Sequence, residues 1–141
     1  MSKKHKTPVQ LRFKDIDALG HVNNANHLSF FELARIHYFD EVIGGKIDWQ
    51  KTGMILARVT IDYKQPIYLE DRIFVYTFLA KTGNTSFELG YEIVKTKKDQ
   101  PETILATGTS VIVCFNYEEK KPVPVPAEWI ERMKAFENSG G

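Results

Sequence analysis

Leu28-Ser29-Phe30-Phe31-Glu32-Leu33-Ala34-Arg35-Ile36-His37-Tyr38-Phe39-Asp40-Glu41-Val42 is the stretch that decides the fold. Leu28, Phe31, Leu33, Ala34, Tyr38, Phe39 and Val42 recur at helical spacing and cover a wide apolar arc. Asn23, Asn24 and Asn26, residue types that cap helices, precede the run, and Gly44 and Gly45 stop it. A helix apolar on most of its circumference, in a chain of 141 residues, must be wrapped by other elements rather than lie on a surface.

The rest of the chain supplies the wrapping. From Pro8, the residues Val9, Leu11 and Phe13 alternate with Gln10, Arg12 and Lys14, the period-two pattern of a half-buried strand, which Asp15 to Gly20 breaks. Beyond the helix, Ile55, Ala57, Val59, Ile61 and Tyr63 alternate with Leu56, Arg58, Thr60, Asp62 and Lys64, predicting a second strand whose odd-numbered set faces inward. Residues 72–81, 85–96 and 103–117 are rich in β-branched and aromatic types, with turn chemistry at Gly83-Asn84 and over 97–101, as antiparallel hairpins require. Pro122, Pro124 and Pro126 form an extended bridge to a short amphipathic helix over 127–136, in which Trp129, Ile130, Met133 and Phe136 share a face. The expected architecture is α+β: an antiparallel sheet wrapped round one long central helix, plus a short C-terminal helix. Residues 1–141 read as one domain, with a core of about 8–117 and a C-terminal extension over 118–137.

Composition narrows the function. Hydrophobic residues make up 43% and charged residues 26%, the balance of a globular domain with a real core. With 19 basic and 18 acidic residues the formal net charge is +1, which supplies no broad cationic face for nucleic acid or an anionic membrane. Lys3, Lys4, His5 and Lys6 near the start have no apolar run behind them, and no stretch approaches a membrane span, so neither a signal peptide nor a span is expected. Residues 138–141 are small and polar and carry no weight in the fold. One cysteine, Cys114, forms neither an internal disulfide nor a cysteine-based metal site; this fits a reducing, cytoplasmic compartment, with Cys114 an inert thiol in the apolar run 111–115.

The chemistry-bearing stretch is Arg12-Phe13-Lys14-Asp15-Ile16-Asp17-Ala18-Leu19-Gly20-His21-Val22-Asn23-Asn24, followed by His27, Phe30-Phe31-Glu32 and Ala34-Arg35. Asp17 falls in a turn between a strand and the start of the buried helix, where free backbone N–H groups and the positive helix end stabilise an oxyanion. A carboxylate base or nucleophile beside donors for a developing oxyanion is what hydrolysis of an activated carbonyl needs, and this arrangement provides both without a metal. Each residue also has a plainer explanation: Asp17 as a turn aspartate, Asp15 as a solvated strand end, His21 as a turn-holding histidine, Asn23 and Asn24 as caps, and Glu32 and Arg35 as a helical pair. His5 and His37 have no partner at metal-ligand spacing, and no HExxH motif, Cys/His cluster, Gly-x-Ser-x-Gly elbow or P-loop is present, so no cofactor or metal is expected.

The same stretch resembles the D-x-D-x-x-G-H-V-N-N signature, with its trailing F-x-E-x-A-R helix, of the hotdog-fold acyl-CoA thioesterases, the group that includes hydroxybenzoyl-CoA thioesterase. The order of elements agrees with that fold over about residues 8–117. The resemblance implies that Asp17 is the catalytic base or nucleophile, that Gly20, His21, Val22, Asn23 and Asn24 form the active-site turn, and that backbone N–H groups near Asn23 and Asn24 make the oxyanion hole. It implies that Gly83, Asn84, Thr85 and Ser86 lie near the CoA pantetheine arm, with Arg58 and Lys81 as candidate CoA phosphate ligands. His27 departs from many relatives, which carry tyrosine there. The resemblance further implies a homodimer, or a homotetramer, with each active site across the subunit interface. Within enzymes the alternative substrate is an acyl group on acyl carrier protein; outside them, the alternative is a noncatalytic acyl-CoA-binding or scaffold protein.

Overall fold

The structure, a computed structural model, describes residues 2–44, 48 and 50–140. Five long strands form one antiparallel sheet in the order β1-β3-β4-β5-β2: β1 (His5–Val9), β2 (Gly53–Tyr63), β3 (Arg72–Thr82), β4 (Ser86–Thr96) and β5 (Thr103–Asn116). A two-residue strand, β6 (Lys121–Pro122), adds to β5. Across the inner face runs α1 (Asn26–Tyr38), which continues as a π-helical turn over Phe39–Ile43 closed by the Gly44 N–H bond to the Phe39 carbonyl. The C-terminal helix α2 (Ala127–Asn138) buries Trp129 and Met133 in the common core and rests Ile130 and Phe136 against it. Gly45, expected to help stop the helix, and Gly141 lie outside the described residues.

The core lies between α1 and the sheet. Phe31, Ala34 and Tyr38 on the helix meet Phe87, Leu89, Tyr91 and Ile93 of β4, Ala106 and Ile112 of β5, and Ile73 and Val75 of β3, all buried. Phe31 stacks on Tyr91 with ring centroids 4.5 Å apart. The helix comes this close because position 108 on β5 is glycine: a Cβ there would collide with the Phe31 ring and the Thr60 carbonyl. Cys114 is fully buried, and desolvation pushes its thiol up to about 11, so it is the inert core thiol expected.

The structure corrects four expectations. The first strand lies at His5–Val9, earlier than the Val9–Phe13 alternation suggests, and Phe13 instead stands 84% exposed in a 3-10 turn over Phe13–Asp15. Pairing with β3 decides the strand: His5 and Thr7 turn inward, while the Lys4 and Lys6 ammonium groups sit over the Phe78 and Phe74 rings. On β2 a bulge between Leu56 and Arg58 resets the alternation, so Met54 opposes buried Cys114 before it and Val59 opposes buried Ser110 after it. Ile55 and Ala57 are therefore off the inward set, which holds from Val59 onward. The helix is covered on one side only, with Leu28, Leu33 and Ile36 exposed on the other. Finally, Glu32 and Arg35 do not pair: Arg35 donates to the Tyr91 hydroxyl at 3.3 Å.

Candidate active site

The segment joining β1 to α1 holds itself in shape before it offers any chemistry. Ile16 and Val22 form an isolated antiparallel bridge, with the Asp17 N–H donating to the His21 carbonyl at 2.9 Å and the Gly20 N–H to the Asp17 carbonyl at 3.0 Å. Gly20 has φ +88°, the left-handed conformation that makes glycine the natural residue at this turn. The Val22 N–H donates to the Ile67 carbonyl at 2.7 Å, and the Tyr63 hydroxyl donates to the Asn24 carbonyl at 2.8 Å, so the segment after β2 clamps the loop.

The two aspartates have opposite environments. Asp15 is 2% exposed; its Oδ2 accepts the Arg12 N–H at 2.9 Å and its Oδ1 the Arg12 guanidinium at 3.0 Å, and its carbonyl takes the Asn23 N–H at 2.9 Å and the Asn26 side-chain amide at 3.1 Å. It is a buried structural staple rather than the solvated strand end expected. Desolvation pushes its carboxyl up, but the Arg12 hydrogen bonds and positive charge outweigh burial and hold it below the ordinary carboxylate value. Asp17 keeps 24% of its side chain open to solvent. Its Oδ1 accepts the Leu19 N–H at 2.8 Å, while Oδ2 faces His21 Nδ1 at 4.0 Å, too far for a hydrogen bond. One carboxylate oxygen is thus fixed by the turn and the other is free to meet a water or a carbonyl carbon.

At the helix start the asparagines divide their work. The Asn23 side chain accepts the Ala25 N–H at 2.9 Å, and the Asn23 N–H is already spent on the Asp15 carbonyl. Asn24, expected as a cap, makes no capping bond; its exposed side chain lines a depression of about 220 Å³ together with His21, Val22, His27, Tyr63, Lys64, Gln65 and Pro66. No hydrogen bond from the Asn24 N–H is found among the described residues, which leaves it an available main-chain donor at the helix entrance, as the Ala18 and His21 N–H groups are within the turn. His27 was not among the expected site residues. It is buried at 2% exposure with its ring 4.8 Å from that of Tyr63, and its Nδ1 is sealed from water without a partner. Burial holds its pKa below the ordinary histidine value. A first-turn histidine between two aromatics gives no sequence signal that separates it from core, which is why only the depression reveals it.

The expected CoA contacts also come together, but elsewhere. Arg58, Lys81, Gly83 and Ser86 line one pocket of about 240 Å³ with Thr82, Phe87, Glu88 and Val111. Asn84 and Thr85 do not line it; their carbonyls accept the Val125 and Cys114 N–H groups, each at 2.9 Å. Strand register separates the two hollows: the Thr82–Phe87 hairpin end lies beside Ile112–Val113 of β5, whereas Tyr63 opposes Ala106. At roughly 3.3 Å per residue that is about 20 Å along the sheet. Among the described residues no group of three or more His, Cys, Asp or Glu side chains is placed to hold a metal ion.

A curled antiparallel sheet around one helix, with an aspartate turn at the helix start, defines the hotdog class. A family model for the thioesterase-like superfamily matches residues 11–133, and the chain belongs to that family. A thioesterase from Thermus thermophilus, solved with coenzyme A and zinc, is 34% identical; the match covers 94% of this chain and 93% of that one, with a TM-score of 0.78. The acyl-CoA thioester hydrolase YbgC of Escherichia coli is 24% identical over 132 residues, 90% of this chain and 93% of its own. A 4-hydroxybenzoyl-CoA thioesterase variant, solved with 4-hydroxybenzoyl-CoA, shares the fold at a TM-score of 0.82 and 16% identity, over 94% of this chain and 99% of that one.

Proposed function

We propose that this chain, acting as one hotdog domain over residues 1–141, hydrolyses acyl-CoA thioesters to a carboxylic acid and free CoA. The observation that carries the proposal is Asp17, a side chain 24% open to solvent with one carboxylate oxygen pinned by the Leu19 N–H and the other without a hydrogen bond, 4.0 Å from His21 Nδ1, on the loop that ends at the free Asn24 N–H. Asp17 acts on the thioester carbonyl carbon either by deprotonating a water or by direct attack. With water as nucleophile, its oxygen forms the C–O bond as the C–S bond breaks, and the proton taken by Asp17 passes to the departing sulfur. On direct attack an Asp17–acyl anhydride forms as the C–S bond breaks, the thiolate takes a proton from solvent, and water then cleaves the anhydride to release the acid and restore Asp17. The Asn24 N–H stabilises the charge that develops on the carbonyl oxygen. His21 and Val22 shape the turn, and Gly20 allows it.

The unpaired long edge of β2 supplies the second half of the argument. An antiparallel pairing of β2 with its copy across a two-fold axis runs the Tyr63 end of one protomer toward the Gly53 end of the other, past the mid-strand Arg58, and covers an edge that would otherwise invite aggregation. Arg58 and Lys81 of one subunit would then meet the CoA phosphates while the acyl end reaches the Asp17 turn of its partner. The proposed assembly is a homodimer, with a tetramer as its doubling, in the cytoplasm. Among the described residues no helix is long and apolar enough to cross a membrane.

A panel of acyl-CoAs, followed by release of free thiol, tests the reaction. Asp17→Asn keeps the shape and removes both basicity and nucleophilicity, so it should retain the wild-type melting temperature and lose kcat by about 100-fold or more. An Asn variant with near-wild-type kcat would remove the assignment.

A further inference from the structure

The geometry points to a second anion-binding site, for a phosphate group, at the end of the sheet beside the Asp17 loop and distinct from the Arg58 and Lys81 pocket. A hollow of about 280 Å³ is lined by Gln65, Lys95, Lys97, Gln100, Pro101 and Thr103. Every side chain in it except Pro101 can donate a hydrogen bond, two carry positive charge and none carries negative charge.

Lys95 is the residue that calls for a ligand. On β4 it follows Ile93 by two positions, and it pairs with Ile73 of β3 on one side and Thr103 of β5 on the other. Ile93 and Ile73 are core residues at 0% and 2% exposure, so the strand period turns Lys95 to the face that carries the core. A half-buried lysine at such a position ordinarily meets a carboxylate, yet Lys95 and Lys97 form no ion pair among the described residues. The adjoining turn carries two acidic residues, and neither pairs with these lysines: Asp99 is exposed and makes no ion pair among the described residues, and the Glu102 carboxylate accepts the Tyr76 hydroxyl at 3.0 Å. Two ammonium groups, two amides and a hydroxyl converging without a counter-ion match a phosphate, whose oxygens accept several charge-assisted hydrogen bonds at once.

The location gives this site a bearing on catalysis. Gln65 lines both this hollow and the depression at the Asp17 loop. It is fixed by its N–H bond to the Leu105 carbonyl at 3.0 Å, and two residues later the Ile67 carbonyl holds the Val22 N–H. A phosphate held by Gln65 therefore rests on the strap that clamps the catalytic turn.

Titration of the 15N-labelled protein with inorganic phosphate, read by amide chemical shifts, tests the site without any assay of thioester hydrolysis, so its outcome is separate from that of the proposed reaction. Saturable shifts are expected at Gln65, Lys95 and Thr103. Lys95→Met with Lys97→Met should weaken the binding read at Gln65 and Thr103 by about tenfold or more, whereas Lys81→Met should leave the titration of those two amides unchanged. Should the double variant not fold, the exposed Lys97→Met alone still lowers affinity, and saturation in the wild type is read independently of either. Coenzyme A added to the phosphate-loaded protein separates the two sources of the group: displacement assigns the site to the carrier's own phosphates, and coexistence to a separate phosphate ligand. Shifts that fail to saturate, or that persist unchanged in the folded lysine variants, would overturn the site.

Discussion

Two aspartates separated by one residue do different jobs because one is sealed and the other is not. Asp15 has its carboxylate gripped by the backbone and side chain of Arg12, while Asp17 retains a free oxygen at the surface of the turn. The folded-state pKa of Asp15 lies below the ordinary value of 3.8. Its stabilisation is therefore fully present above that unfolded value and lost as pH falls through the lower folded one. Asp15→Asn should cost about 1 to 3 kcal/mol at neutral pH through its weakened charge-assisted bonds, and should flatten the fall of melting temperature with acid. Thermal melts of both proteins across that acid range check this; an undiminished acid dependence in the variant would relieve Asp15 of the role. Its effect on kcat should be milder than that of Asp17→Asn.

Among the elements, the start of α1 shows where local chemistry and tertiary demand part. Two asparagines precede the helix and a third opens it, yet only the Asn23 side chain takes up an N–H at the helix entrance, that of Ala25, while the Asn26 amide reaches the Asp15 carbonyl. Asn23→Ala should cost about 0.5 to 2 kcal/mol of stability, and Asn24→Ala should leave both the melting temperature and kcat near wild type, since its proposed contribution is main-chain. A collapsed kcat in a stable Asn24→Ala protein would mean that its side chain touches the reacting atoms. The long strands were legible because each alternates over many residues, and α1 because Phe31, Ala34 and Tyr38 keep helical spacing. The shift of β1 was not, because His5 and Thr7 read as polar while their burial is imposed by β3. The β2 bulge was not legible either, since a single extra residue leaves no mark in composition. Asp17 could be singled out from the motif around it, but the contrast with Asp15 depends on Arg12, whose contact only the folded turn creates.

For the whole molecule, the question is how two hollows about 20 Å apart along one sheet serve one substrate. Pairing of β2 edges answers it by bringing the Asp17 turn of one subunit to the Arg58 and Lys81 pocket of the other. Subunit complementation measures this most directly. Asp17→Asn subunits and Arg58→Glu/Lys81→Glu subunits, each nearly inactive alone, are co-expressed and the mixed dimers isolated by two different tags. A mixed dimer holds one site with both defects and one with neither, so it should recover about half of the wild-type activity per dimer. Mixed dimers no more active than the two parents, or a wild-type protein that is active as a monomer, would contradict a site shared between subunits.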